Sequence, residues 1–406
     1  MPIVRPFRGL IPPANLVPQV ACVPYDVVNA EEAAALAQGN PLSLLHVDRA
    51  EIDLPPDTDH YSPAVYNKAA EAFAALQQKG ALVREAKPVY YLYRQTMGTH
   101  VQRGLTAVCA VTDYERDIIK KHEKTRPEKE DDRTRLIDRI SAQTGPIFLA
   151  YRDSAEIDAL LAKVEAGTPY VDFVAPDGIK HALWRIEDTA PIEAAFAKLP
   201  CTYIADGHHR AASGARVAQK RRNGQPADAT KSHEYILSVL FPASQLMILS
   251  YNRLVHDLNG LSVDDFVAKV KTLFTVTPIT DPVPKASNHV AMYVGGKWYG
   301  LSWTTDPKAD PAAQLDVSVL QDRLLAPVLG IDNPRTNPRI EFIGGIRGTA
   351  ELVQRVDKGD GAVAFSMYPT TVDQVMAIAD AGQIMPPKST WFEPKLRSGL
   401  FVHVLD

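Results

Sequence analysis

The sequence predicts an α/β fold of mixed α+β character, and three observations carry that reading. Strand-like and helix-like stretches alternate from one end to the other, as in layered α/β architectures. The composition, 46% hydrophobic and 23% charged, is that of an ordinary globular protein with enough apolar residues for a large core. The best-marked stretch, Tyr203-Ile204-Ala205-Asp206-Gly207-His208-His209-Arg210, runs from a short apolar strand through a tight turn into a helix.

Taken in order, residues 1–29 include Pro18 and Pro24 and read as extended chain and turns. A helix is expected over 30–38, stopped by Gly39-Asn40-Pro41, and the apolar run 42–47 reads as a buried strand. Tyr25-Asp26 closes an apolar run. Asp26 either caps that helix or, with Tyr25, is presented to a substrate from a sheet edge. Val65, Ala69, Phe73 and Leu76 recur at helical spacing over 63–79, with Gly80 as the stop. Strands over 88–95 and 103–114 suggest an antiparallel hairpin around Gly98. Pro127 suits the first turn of a helix over 128–143, and a strand over 146–151 follows.

A helix after 154, strands near 170–174 and 181–185 and a helix over 191–198 lead to the central junction. Its helix runs from His208 to about residue 222, before Gly224 and Pro226. Strands follow over 234–240 and 246–251. A mixed region, 260–315, holds a helix over 263–273 and strands near 291–294 and 297–303. Further on, the pattern gives a helix over 318–328, a strand over 340–343, a helix over 349–356 and a strand over 362–366. The last helix, 371–380, opens with a capping box of Thr371 and Gln374, and 399–405 is strand-like. The expected division is 1–89, 90–257 and 258–406.

Several classes are excluded. A net charge of −4 offers no general attraction to nucleic acid or an acidic membrane surface, and no apolar stretch is long enough to span a bilayer. Neither nucleic acid nor membrane is therefore expected as a partner. Cys22, Cys109 and Cys201 are widely spaced within apolar runs, which suits reduced core residues of a cytoplasmic protein without zinc spacing. Prolines and arginines interrupt the N-terminal stretch where a signal peptide needs an apolar run. Nucleophile-elbow, CxxC and HExxH motifs are missing.

The chemistry concentrates at the junction. Helix N–H groups and the dipole face an anion there, Arg210 adds a bidentate oxygen clamp, and His208 and His209 add donors. Asp206 is open to three roles: base, metal ligand, or the turn that holds the others. Elsewhere, His122, Glu123 and Arg126 combine acid, base and anion-clamp potential, beside the alternative of a solvated helix laced with ion pairs. Lys388, between Pro387 and Ser389, is either aimed at a phosphate or simply exposed. Gly344-Gly345-x-x-Gly348 lies between a strand and a helix, and turn geometry explains it as well as phosphate does.

Four stretches together resemble the domain-of-unknown-function family numbered 1015: VPYDVVN at 23–29, HEKTRPEKEDDR at 122–133, YIADGHHRAASGA at 203–215 and MPPKSTWFEPKLRSGL at 385–400. The chain departs from the family pattern at Lys124, where arginine is usual, and at Ala211, where an aromatic is usual. The DGHHR segment is also similar to the phosphate turn of the ParB/sulfiredoxin superfamily, which includes partition proteins, sulfiredoxins and kinases of free serine. That resemblance implies a ParB/sulfiredoxin-like core within 90–257, elaborated by the N- and C-terminal parts. It implies a nucleotide, ATP or ADP, with its phosphates among Gly207, His208, His209, Arg210, Lys388 and Arg126. It further implies Mg²⁺ on Asp206, with Asp206, Glu123 and His122 in catalysis and Tyr25 and Asp26 at the substrate.

The expected activity is Mg²⁺-dependent phosphoryl transfer to a small hydroxyl compound, with free L-serine giving O-phosphoserine as the leading candidate. The alternative is a nucleotide-binding or nucleotide-hydrolysing regulatory module without a metabolite acceptor. The expected partners are a small-molecule substrate and a nucleotide, and a homodimer is allowed for.

Overall fold

The computed structural model describes residues 1–306 and 308–405 and is mixed α/β. It divides into two compact units, Met1–Leu246 with Pro394–Asp406, and Met247–Glu393. These limits differ from the expected divisions after residues 89 and 257. The hairpin after residue 89 joins the same sheet as later strands, and the last residues of the chain belong to the first unit.

The first unit is built on a nine-stranded sheet. Its strands are β1 (Val4–Arg5), β2 (Tyr90–Met97), β3 (His100–Ala110), β4 (Ile119–Lys120), β5 (Ile147–Tyr151), β6 (Val171–Val174), β7 (Lys180–Ile186), β8 (Thr202–Asp206) and β9 (Tyr235–Pro242). They lie in the order β4-β8-β5-β9-β3-β2-β7-β6, with β1 paired to β3. Only β4 with β8 and β5 with β9 pair in parallel; the other pairs are antiparallel.

Six helices of this unit pack around the sheet and its N-terminal extension: α1 (Ala30–Ala37), α2 (Leu45–Asp48), α3 (Pro63–Gln78), α4 (Pro127–Ile140), α5 (Ala155–Glu165) and α6 (Ala190–Phe196). A seventh, α7 (His208–Arg222), follows β8 and packs small residues on the sheet. Ala211, Ala215 and Ala218 are buried in one cluster with Ile147, Ile204, Ile236 and Leu240. A Cβ at Gly214 would stand 3.4 Å from Ile236 Cγ1, so helix and strand approach closely. A second cluster packs α1, α2 and α3 on Leu136 and Ile140 of α4.

Several local expectations change. The apolar run 42–47 is a turn leading into α2 rather than a strand. Asn40 Oδ1 accepts from Leu42 N and Ser43 Oγ from Leu45 N, which bends the chain, and a short apolar run has no period to separate the two states. Asn29, not Asp26, caps α1, accepting from Glu32 N in a full capping box. The second strand of the hairpin stops at Ala110 and turns into a short helix, Val111–Glu115. The tail keeps only His403–Val404 as strand.

The second unit holds a six-stranded antiparallel sheet of β10 (Tyr251–Val255), β11 (Thr275–Pro278), β12 (His289–Val294), β13 (Lys297–Ser302), β14 (Ile340–Gly344) and β15 (Val363–Met367), in the order β11-β13-β12-β15-β10-β14. Its helix Val372–Asp380 begins at the Thr371–Gln374 capping box. Packing explains the glycine pair of this unit. A Cβ at Gly344 would overlap the Trp391 ring and one at Gly345 would meet Ser250 Oγ at 2.6 Å. The helix expected over 318–328 is a short α-turn, Asp316–Leu320, followed by a π-turn, Gln321–Leu325.

Candidate functional site

Strand β8 pairs with β5 at Tyr203↔Ala150 and Ile204↔Leu149, but Asp206 then faces Phe148. The register slips between Ile204 and Asp206, a bulge that re-aims the side chain at the strand end. Gly207 follows at φ 91°, a left-handed conformation that a side chain resists, and α7 begins at the next residue. A Cβ on Gly207 would touch Arg210 Nε and Ile147, each at 3.4 Å. No side chain caps α7, so the first-turn N–H groups of His208, His209 and Arg210 stand at an uncapped helix N-terminus.

Asp206 is held on both oxygens. Gly207 N–H donates to Oδ1 at 2.9 Å, and Lys395 Nζ pairs with Oδ2 at 2.9 Å. Burial works against its ionisation, yet Lys395, Arg210 and the Gly207 N–H outweigh that and hold the carboxyl well below the usual carboxylate range. Asp206 is therefore a very weak base. The N–H of Gly207 is consumed by Asp206, so this glycine supplies the turn and not an N–H for a ligand.

Arg210 lies almost wholly inside, 11% exposed. Its Nη1 donates to the Pro146 carbonyl at 2.6 Å, Nη2 stands 4.0 Å from Asp26 Oδ2, and the buried Nε has no hydrogen-bond partner. A Cβ at Gly145 would stand 3.4 Å from Nη1, so that glycine gives the guanidinium its room. Burial opposes the charge, but Asp26, Asp206, Tyr25 and Asp48 raise its affinity for the proton further still.

Two histidines meet behind the turn. The rings of His122 and His208 stand edge to face with centroids 4.5 Å apart, and both side chains are buried. Both nitrogens of His122, and Nε2 of His208, are buried without a partner. Burial pushes His122 down to about 4, and burial together with His122 drives His208 well below its ordinary value. Both are neutral imidazoles at pH 7. Glu123, half-exposed, brings Oε2 to 3.5 Å from His208 Nδ1. His209 takes a different part: its Nε2 accepts the backbone N–H of Arg126 at 3.0 Å, tying the start of α4 to the start of α7. The Arg126 side chain is exposed.

Tyr25 is buried under the Arg133 guanidinium, 4.1 Å from its ring centroid, and burial pushes its hydroxyl up to about 12. Tyr25, Asp48, Arg133, Thr144, Arg210 and Ser398 are among the residues lining a cavity of about 30 Å³, room for one or two waters. The fold thus brings together Asp26, His122, Glu123, Asp206, Gly207, His208, His209 and Arg210, with Tyr25 behind Arg210. Lys388 belongs to the second unit, where its ammonium lies 5.2 Å from the Tyr251 ring centroid and its carbonyl accepts from Arg253 Nη2 at 3.3 Å.

Sequence reading missed Lys395, Asp48 and Arg133. Arg133 and Lys395 lie inside stretches already marked by resemblance, whereas Asp48 comes just after the run read as a strand and carried no signal. No group of three or more His, Cys, Asp or Glu side chains among the described residues could hold a metal. With Lys395 and Gly207 on its oxygens, Asp206 does not fit the magnesium ligand expected of it. The three cysteines are free thiols, and no described helix is long and apolar enough to cross a membrane.

The model of the family described as "Protein of unknown function (DUF1015)" matches residues 4–318. No curated protein matches the chain. Among solved structures, the chain is similar to a conserved hypothetical protein from Pyrococcus furiosus, at 16% identity and TM-score 0.35, covering 71% of this chain and 93% of that one. It is similar to a free serine kinase (E30A mutant) in complex with ADP, at 15% identity and TM-score 0.35, covering 70% and 90%. It is also similar to SbnI with C-terminal truncation from Staphylococcus aureus, at 12% identity and TM-score 0.39, covering 73% and 86%.

Proposed function

The chain belongs to the DUF1015 family of proteins of unknown function, and we propose that its Asp206–Arg210 junction binds the phosphates of a nucleotide for transfer to a small alcohol. The observation that carries this is the uncapped N-terminus of α7 beside the buried guanidinium of Arg210, whose Nε–H donor has no partner. A buried donor left unpaired costs about 1–3 kcal/mol, so one on a guanidinium beside a positive helix end favours an oxygen-rich ligand.

In this reading the N–H groups of His208, His209 and Arg210, with the Arg210 guanidinium, take charge on the phosphate oxygens as it develops. Glu123 accepts the proton of the attacking hydroxyl, a new P–O bond forms at the transferred phosphorus, and the bond to the nucleotide's leaving oxygen breaks. Asp206, locked by Lys395, sets the turn. Free L-serine is the acceptor, with ATP or ADP as donor. The ParB/sulfiredoxin-like architecture of 90–257 and the placement of Tyr25 and Asp26 at the acceptor belong to the same proposal.

The test is turnover: purified protein with ATP or ADP, magnesium and L-serine yields O-phosphoserine, and Glu123→Gln lowers kcat by about 10²-fold or more, the usual worth of a general base. No transfer to serine or any small alcohol ends the kinase reading. A second reading, nucleotide binding without transfer, is favoured by Asp206 being held in an ion pair. Nucleotide binding with no acceptor-dependent turnover would select it.

A further inference from the structure

We propose that Lys395 is a positioning residue of the anion site, cancelling the charge of Asp206 so that an oxyanion can approach the N–H groups beside it. The inference rests on the anion reading of the junction and gives Lys395 an electrostatic role in it beyond holding Asp206 in place.

The tail that carries Lys395 is built around it. From Pro394 to His403 every residue is buried except Lys395. Its carbonyl accepts from Gln95 Nε2 at 2.9 Å, and Gln95 Oε1 accepts from Gln102 Nε2 at 2.9 Å. Both glutamines are fully buried on the paired strands β2 and β3, where amides are costly unless paired. Beyond Lys395, Ser398 exchanges backbone hydrogen bonds with Cys22, at 3.0 and 3.1 Å, and Gly399 N donates to the Thr144 carbonyl. The ammonium is thus delivered to Asp206 by a backbone fixed in place close by, rather than by a mobile surface chain.

Charge gives that delivery its purpose. Asp206 precedes the helix end by one residue, and a bare carboxylate there repels any phosphate brought to His208, His209 and Arg210. Arg210 does not fill that role by itself, because it also serves Pro146 and faces Asp26. Lys395 neutralises Asp206 while leaving Oδ1 on the Gly207 N–H, so the turn keeps its shape.

The experiment is calorimetric titration of inorganic pyrophosphate and ADP into wild type, Lys395→Met, Lys395→Arg, Asp206→Asn and the Lys395→Met/Asp206→Asn double variant. The expected pattern is a loss of about ten- to a hundredfold in Lys395→Met, the range of a charge-assisted contact. Lys395→Arg retains binding, and adding Asp206→Asn to Lys395→Met recovers most of the loss because no bare carboxylate is left. A merely structural role for Lys395 predicts no such recovery. Binding by Lys395→Met equal to wild type, or a loss that Asp206→Asn does not relieve, overturns the inference and leaves the anion site standing. Should Lys395→Met not fold, Asp206→Asn alone decides: anion affinity no weaker than wild type supports the inference, and a tenfold loss overturns it. Wild type that binds neither pyrophosphate nor ADP brings down the anion reading itself, and the inference with it.

Discussion

His122 and His208 stay neutral at pH 7 because burial denies the imidazolium its hydration, and His122 falls to about 4. A basic group lowered on folding contributes stability that is complete above its unfolded value near 6.5 and is lost as pH falls toward the folded one. For His122 that amounts to about 2 kcal/mol between pH 7 and 4.5. Urea titrations of wild type and His122→Asn should therefore converge by that amount on acidification; parallel pH curves would mean the ring is not held neutral. Asp206 has the same sign in a lower pH window. Its carboxyl is depressed on folding, so its contribution is present above the ordinary carboxylate range near 4 and fades below it. Asp206→Asn should lower the melting temperature at pH 7 and progressively less below pH 4. An Asp206→Asn penalty that persists undiminished at pH 3 would argue against the ion pair with Lys395.

The strand–turn–helix element was legible from sequence because its signals are local. An apolar run, a DG turn, and a glycine and proline past the helix end fix Thr202–Asp206 and His208–Arg222 almost to the residue. The bulge that re-aims Asp206 was not, since it depends on how β8 pairs with β5, a strand far back in the chain. Lys395 was hidden for the same reason, 189 positions from its partner. The helix ending at Asp48 escaped because a short apolar run carries no period. Two substitutions probe the element. Gly207→Ala places a side chain at φ 91° against Arg210 Nε, and should cost about 1–2 kcal/mol by chemical denaturation while weakening phosphate binding. Ala215→Leu overfills the seam between α7 and the sheet and should cost about 1–3 kcal/mol while the N-terminus of α7 keeps its shape. A neutral Gly207→Ala would contradict the left-handed turn.

On the scale of the whole chain, the family match ends at residue 318, yet the first unit takes its last strand and Lys395 from residues 394–406. Leu400, Phe401, Val402 and Leu405 are all buried there. Truncation after residue 393 should destabilise the protein by several kcal/mol, since each such side chain contributes about 1.5–3 kcal/mol on burial. It should also remove phosphate binding; a truncated chain with unchanged melting temperature would show that the tail is not part of the first unit's core. Phosphate binding at the start of α7 is the claim on which the proposed chemistry stands. A crystal structure of the protein with ADP tests it most directly. Terminal phosphate oxygens are expected within hydrogen-bond distance of the N–H groups of His208, His209 and Arg210. ADP ordered elsewhere, with those N–H groups left to solvent, would contradict it.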